Sequence, residues 1–166
     1  MMNDYTEQFS RIYDEYVEKI YRFVYLKVNS QETAEDITSR VFLKGWETHK
    51  DNGGIAKPRA FLYQVARNMV IDHYRAKDKA QSVSLDAIPH IQDRTNIYEK
   101  AALNADIEAV KTALNQVKQE YQDIIIWHYL DDMPVAEIAE IIGKPAGTVR
   151  VMLHRGLKSL KDVLEA

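Results

Sequence analysis

The chain has 166 residues, 46% apolar and 28% charged, with 6 Gly, 4 Pro and no Cys, which suits one or two small globular domains and excludes a disulfide framework or a thiolate metal site. Its net charge of −3 argues against a polyanion partner for the chain as a whole, but local patches decide such contacts. The opening MMNDYTEQFSR lacks a basic n-region and an apolar core, and no apolar run nears the ~20 residues that cross a bilayer, so a cytoplasmic location without membrane insertion is expected.

In chain order, Phe9, Ile12, Tyr13, Tyr16, Val17, Ile20, Phe23 and Val24 recur at three- and four-residue steps and predict a long amphipathic helix. Ser30 is placed to cap a second helix, with Glu32 and Glu35 in its first turn where the dipole favours them. Ile37, Val41 and Trp46 continue its apolar stripe, and KDNGG at 50–54 reads as a loop. Pro58 suits the first turn of a third helix, whose inner face is Phe61, Leu62, Val65, Met69 and Val70. This helix is basic: residues 57–79 carry 6 basic groups and 2 acidic ones.

The helical period then fails. Residues 79–96, KAQSVSLDAIPHIQDRTN, are rich in Ser, Asp and Pro and read as a linker. The period returns from Leu103 through Leu114 and again from Ile124 to Tyr129, within a strongly acidic stretch: residues 80–142 carry 4 basic and 11 acidic groups. The expected fold is all-α, two small helical domains joined by a flexible linker, the C-terminal one a helix-turn-helix. The expected boundaries are 1–78, a linker over 79–102, and 103–166.

The last two runs carry the clearest pattern. Val135, Ile138, Ala139 and Ile142 line one face of a short helix, and Gly143 is placed to end it in the left-handed conformation. Pro145 opens the next helix, and the small residues Ala146 and Gly147 are expected to let the pair pack closely. Val149, Met152, Leu153, Leu157 and Leu160 form the expected buried face of this helix. Thr148, Arg150, Val151, His154, Arg155 and Lys158 are left on its outer side, and no acid occurs from 143 to 161. In a helix-turn-helix the second helix enters the DNA major groove, where Arg reads guanine edges while Lys and Thr more often hold phosphates.

No other chemistry competes. The five histidines have no metal-ligand spacing with one another, and a His128 site with Asp131 and Asp132 is far less expected than a polar helix end. Gly53-Gly54 lacks the setting of a phosphate loop, and no nucleophile–base pair or paired carboxylates stand out. No catalytic centre, metal or cofactor is expected.

Three blocks in order, IYDEYVEKIYRFVY with AEDITSRVFLKGW, then PRAFLYQVARNMVIDHYR, then LNQVKQEYQDIIIWHYLDDMPVAEIAEIIGKPAGTVRVMLHRGLKSL, resemble the extracytoplasmic-function (ECF) sigma factors of the sigma-70 family. The resemblance implies an alternative sigma factor that binds core RNA polymerase and directs promoter-specific transcription initiation. It implies an N-terminal domain that recognises and melts the −10 element and a C-terminal domain that reads the −35 element. Carried over by position, Thr148, Arg150, His154, Arg155 and Lys158 serve the −35 element; Val151 departs from the small polar residue often found there. Lys57, Arg59, Phe61, Tyr63, Arg67, Asn68, Asp72 and Arg75 serve the −10 element, since melted strands are held by basic grooves with rings for stacking. Residues 47–56 resemble the loop that captures a flipped base. Asp36 and Arg40 are carried to the clamp helices of the polymerase's largest subunit, Arg40 standing where Glu is common. An anti-sigma factor is a further implied partner. The alternatives are a stand-alone helix-turn-helix regulator, which would need no second basic face, and a protein-interaction module, which the C-terminal half disfavours.

Overall fold

The computed structural model describes residues 3–79 and 105–166, and every element among them is helical. Three helices, α1 (Asn3–Lys27), α2 (Gln31–Asp51) and α3 (Pro58–Lys79), form the N-terminal group. The C-terminal group comprises α4 (Ala105–Leu114), α5 (Gln119–Ile125) running into a π-helical turn at Ile126–Leu130, α6 (Val135–Ile142) and α7 (Ala146–Glu165). The expected linker lies outside the described residues, apart from Lys79, which closes α3.

Local chemistry sets the boundaries. The Ser30 hydroxyl accepts from the Thr33 amide at 3.0 Å, satisfying one of the orphan donors of α2. The helix overruns the expected loop: residues 47–51 are helical and the chain turns at Asn52. His49 holds this last turn, buried between the rings of Tyr5 and Phe9 at centroid distances of 5.8 and 5.7 Å. The base-capture loop expected over 47–56 is therefore shortened to the residues after Asp51. Gly45 marks the closest approach within the bundle, since a Cβ there would meet Leu62 and Phe9 at 3.2–3.3 Å.

The C-terminal group is organised around α5 and α7. Gly143 ends α6 at φ 69°, ψ 36°, the left-handed cap, where a side chain would be strained. Two expectations on the packing face fail. Gly147 is not a packing glycine, because a Cβ there would meet nothing within 4 Å. Leu157 is 41% exposed, not buried. The crossing instead occurs at Gly156, where a Cβ would lie 2.9 Å from Tyr121 Cβ and 3.1 Å from Ile125 Cδ1. Because α7 rotates by about 100° per residue, seating Gly156 against α5 turns Leu157 outward. Ile141, not assigned to the inner face of α6, is 5% exposed and part of the core.

The two groups share one hydrophobic core: α3 packs on α6 and α1 on α4. At the seam, Trp127 of the π turn is fully buried between Phe23 of α1 and Tyr63 of α3, at centroid distances of 5.5 and 5.8 Å.

Candidate nucleic-acid interface

The outer face of α7 is built by what seats its inner face. Val149, Leu153 and Gly156 are buried at a seven-residue span. That fixes Thr148, Arg150, Val151, His154, Arg155 and Lys158 on the solvent side, all exposed. Pro145 precedes the helix with extended φ and ψ of −61° and 148°, so the N-terminal end, carrying Thr148 and Arg150, leads outward from the turn. The sequence-predicted −35 set is thus brought onto one free stripe. Val151, 48% exposed, adds an apolar group suited to a thymine methyl.

The set predicted for the −10 element is treated differently. Lys57, Asn68, Asp72 and Arg75 are exposed, and Phe61 is half-buried against the core. Four members, Lys57 among them, are paired with carboxylates of the C-terminal group by ion pairs or hydrogen bonds. Arg59 donates from Nε to Glu137 Oε1 at 2.9 Å and from its Nη2 to Glu137 Oε2, a bidentate pair that raises the guanidinium pKa. Lys57 Nζ reaches Glu140 at 2.8 Å, a solvent-exposed pair of small energetic weight. Arg67 Nε lies 3.3 Å from Asp123 Oδ2. The Tyr63 hydroxyl, fully buried, donates to Asp131 Oδ2 at 2.5 Å.

Asp131 is the hub of this seam. Only 2% exposed, it also accepts from Arg22, which in turn donates to the Leu130 carbonyl at 3.1 Å. Burial pushes the Asp131 carboxyl above its ordinary value, against the pull of Tyr63 and Arg22. Tyr63 is driven upward as well, first by burial and then by the neighbouring negative charge. Lys27 of α1 is buried with Asp123 at 2.9 Å and Gln122 at 3.0 Å. Tyr25 donates to Glu108, which pushes the phenol to about 12, and Lys111 sits 4.1 Å from the centroid of the same ring.

The outer face of α2 carries the third expected contact. Asp36 and Arg40 form an exposed pair at 3.8 Å. Leu43, one turn on, is 57% exposed on the same stripe. Sequence reading passed over Leu43; its spacing of seven from Asp36 was the available signal, since a large apolar group held in solvent on a polar stripe marks a contact surface.

Among the described residues no group of three His, Asp or Glu side chains could hold a metal. His128 Nδ1 lies 2.9 Å from the Met133 carbonyl, as a polar helix end would have it. No helix among those residues is long and apolar enough to cross a membrane.

Helical elements throughout the described residues, with an exposed, basic second helix in a helix-turn-helix, define a DNA-binding protein. Two family models match it, sigma-70 region 2 over residues 12–80 and sigma-70 region 4 over residues 107–160. The ECF RNA polymerase sigma factor SigL of Mycobacterium tuberculosis is 31% identical, covering 93% of this chain and 87% of its own. The ECF sigma factor BldN of Streptomyces coelicolor is 28% identical over 95% of this chain, which spans 61% of that relative's length. The sigma factor RpoE of Bartonella quintana, solved with the anti-sigma factor NepR, shares the fold: TM-score 0.74 at 18% identity, covering 96% of this chain and 98% of the other. The chain belongs to the extracytoplasmic-function sigma factors of the sigma-70 family.

Proposed function

We propose that the chain is an alternative sigma factor that binds core RNA polymerase and directs it to a particular set of promoters. The observation that carries this reading is the stripe Thr148, Arg150, His154, Arg155 and Lys158, exposed on a helix seated by Gly156 and led by the Gly143 turn. Residues 103–166 read the −35 element with it, Arg150 and Arg155 at base edges and Lys158 on phosphate. Residues 1–78 take the −10 element with Lys57, Arg59, Phe61, Tyr63, Arg67, Asn68, Asp72 and Arg75, the two joined through 79–102. Bond-making belongs to the polymerase, and this chain acts in the cytoplasm by positioning, without catalysis or a cofactor. An anti-sigma factor, the kind of partner with which the RpoE relative was solved, is a further partner.

Asp36, Arg40 and Leu43 form the polymerase-facing stripe, the apolar Leu43 supplying buried area and the charges register. Gel filtration with bacterial core polymerase tests it. The chain co-elutes with core, and Leu43→Asp weakens the complex at least tenfold while circular dichroism stays unchanged. A Leu43→Asp chain that binds core like the parent removes α2 from the contact.

A further inference from the structure

Seven asparagines occur in the chain, and only Asn52 is followed by glycine. That pairing has a chemistry of its own, because a glycine amide nitrogen, unshielded by a side chain, can reach the asparagine side-chain carbonyl. Asn52 and Gly53 are both exposed, just beyond the end of α2. The chain on either side is anchored. The Asn52 amide donates to the Thr48 carbonyl at 3.0 Å, and the Gly54 amide donates to the His49 carbonyl at 2.8 Å. The peptide joining Asn52 to Gly53 is not: neither its C=O nor its N–H makes a backbone hydrogen bond among the described residues. Asn52 stands at φ −102° and ψ 6°, so bringing the Gly53 nitrogen onto its side chain requires rotation about ψ. Gly53 and Gly54, at φ 71° and 130°, absorb that rotation, since neither has a Cβ to clash.

We propose that Asn52 is a self-modification site that converts to aspartate and isoaspartate, and that the new carboxylate weakens the −10 face beside it as the chain ages. The effect on the −10 face rests on the sigma-factor reading; the modification does not.

The reaction needs only water. The Gly53 nitrogen gives its proton to solvent base and attacks Asn52 Cγ. The bond from Cγ to the side-chain nitrogen breaks, that nitrogen leaves as ammonia, and a succinimide ring remains. Water then opens the ring. Attack at Cγ restores the normal main chain and gives aspartate. Attack at the Asn52 main-chain carbonyl carbon releases it from the Gly53 nitrogen and gives isoaspartate, with the chain running through Cγ. Either way one water is consumed, one ammonia is released, and nothing is oxidised or reduced.

Either product puts negative charge where it is poorly tolerated. It stands next to Asp51 at the C-terminal end of α2, where the helix dipole is already negative. It lies five residues before Lys57, the first cation of the proposed strand-binding set, and repels the phosphates that set would hold. Isoaspartate also lengthens the main chain between α2 and α3, loosening the turn that keeps His49 between Tyr5 and Phe9. Asn29 is the internal control. It is exposed in the turn before α2, but its neighbour Ser30 is fixed by the capping bond from the Thr33 amide at 3.0 Å.

The test holds the full chain for several days in mildly alkaline buffer, then maps its tryptic peptides by mass spectrometry. Aspartate and isoaspartate are expected at Asn52, isoaspartate in excess, within the peptide 51–59, and at least tenfold faster than at Asn29. Asn52→Gln, whose longer side chain closes its ring far more slowly, stays intact over the same period. With core polymerase, the aged parent is expected to initiate about twofold to tenfold less than its own fresh sample, with core binding unchanged. Aged Asn52→Gln matches its own fresh sample. A parent that stays unmodified at Asn52, or changes there no faster than at Asn29, overturns the site. A fully modified parent that initiates like its fresh sample overturns the effect on the −10 face. A fresh parent that binds no core and initiates nowhere, yet converts at Asn52, rejects the sigma-factor reading instead.

Discussion

Arg155→Glu is expected to lower initiation at a promoter dependent on this protein by about tenfold to a hundredfold, with core polymerase binding unchanged. Arg155 is exposed in the middle of the α7 stripe, one turn beyond Val151. A bidentate arginine–base contact is worth about 1–3 kcal/mol of discrimination. Reversing the charge removes that contact and adds repulsion from the phosphates. Arg155→Ala separates the two roles an arginine can have there. If it reads a base, alanine relaxes sequence preference at one position of the −35 element. If it only holds a phosphate, alanine weakens all sequences alike and lowers the salt slope by about one. Loss of core binding in either variant contradicts the assignment, because α7 and the α2 stripe lie on different elements.

The largest loss of stability is expected from Trp127→Ala, about 3–5 kcal/mol, as for other fully buried aromatic truncations. Trp127 is wholly inaccessible and touches both domains, with Phe23 and Tyr63 on either side. For a chain of this size that corresponds to a fall in Tm of roughly 6–20 °C. Trp46→Ala is expected to cost less, since Trp46 is only partly buried beside Phe9. A Trp127→Ala chain within about 1 kcal/mol of the parent shows that the seam contributes little to the folded state. Because Trp46 is the only other tryptophan, Trp46→Phe leaves Trp127 as a single fluorescent reporter, and its emission moves to the red on unfolding.

Much of this was legible from periodicity and punctuation. Ser30, Pro58, Gly143 and Pro145 bracket helices where the structure has them, because capping and proline chemistry act over a few residues. The errors share a cause. Gly156 carries no side chain, so a hydropathy pattern cannot show that it faces Tyr121, and the apolar Leu157 took its place in the predicted stripe. The α2 overrun is similar: Asn52, Gly53 and Gly54 signal a turn, but the burial of His49 between two rings depends on α1, which local sequence cannot report.

The seam itself was half visible. A segment of 6 basic and 2 acidic groups beside one of 4 and 11 invites pairing. Which lysine or arginine meets which carboxylate follows only from the docking of α3 on α5 and α6. Tyr63 shows the difficulty best. A tyrosine in a basic helix reads as a stacking platform, yet in the structure it is a buried donor to Asp131.

The most direct measurement is run-off transcription from a genomic promoter library with bacterial core polymerase, with and without this protein. Discrete start sites that depend on the protein, sharing one −35 and one −10 sequence and lost with Arg155→Glu, are the predicted result. Silence from core polymerase, with the protein alone retarding duplex DNA, contradicts the account and leaves a stand-alone helix-turn-helix regulator.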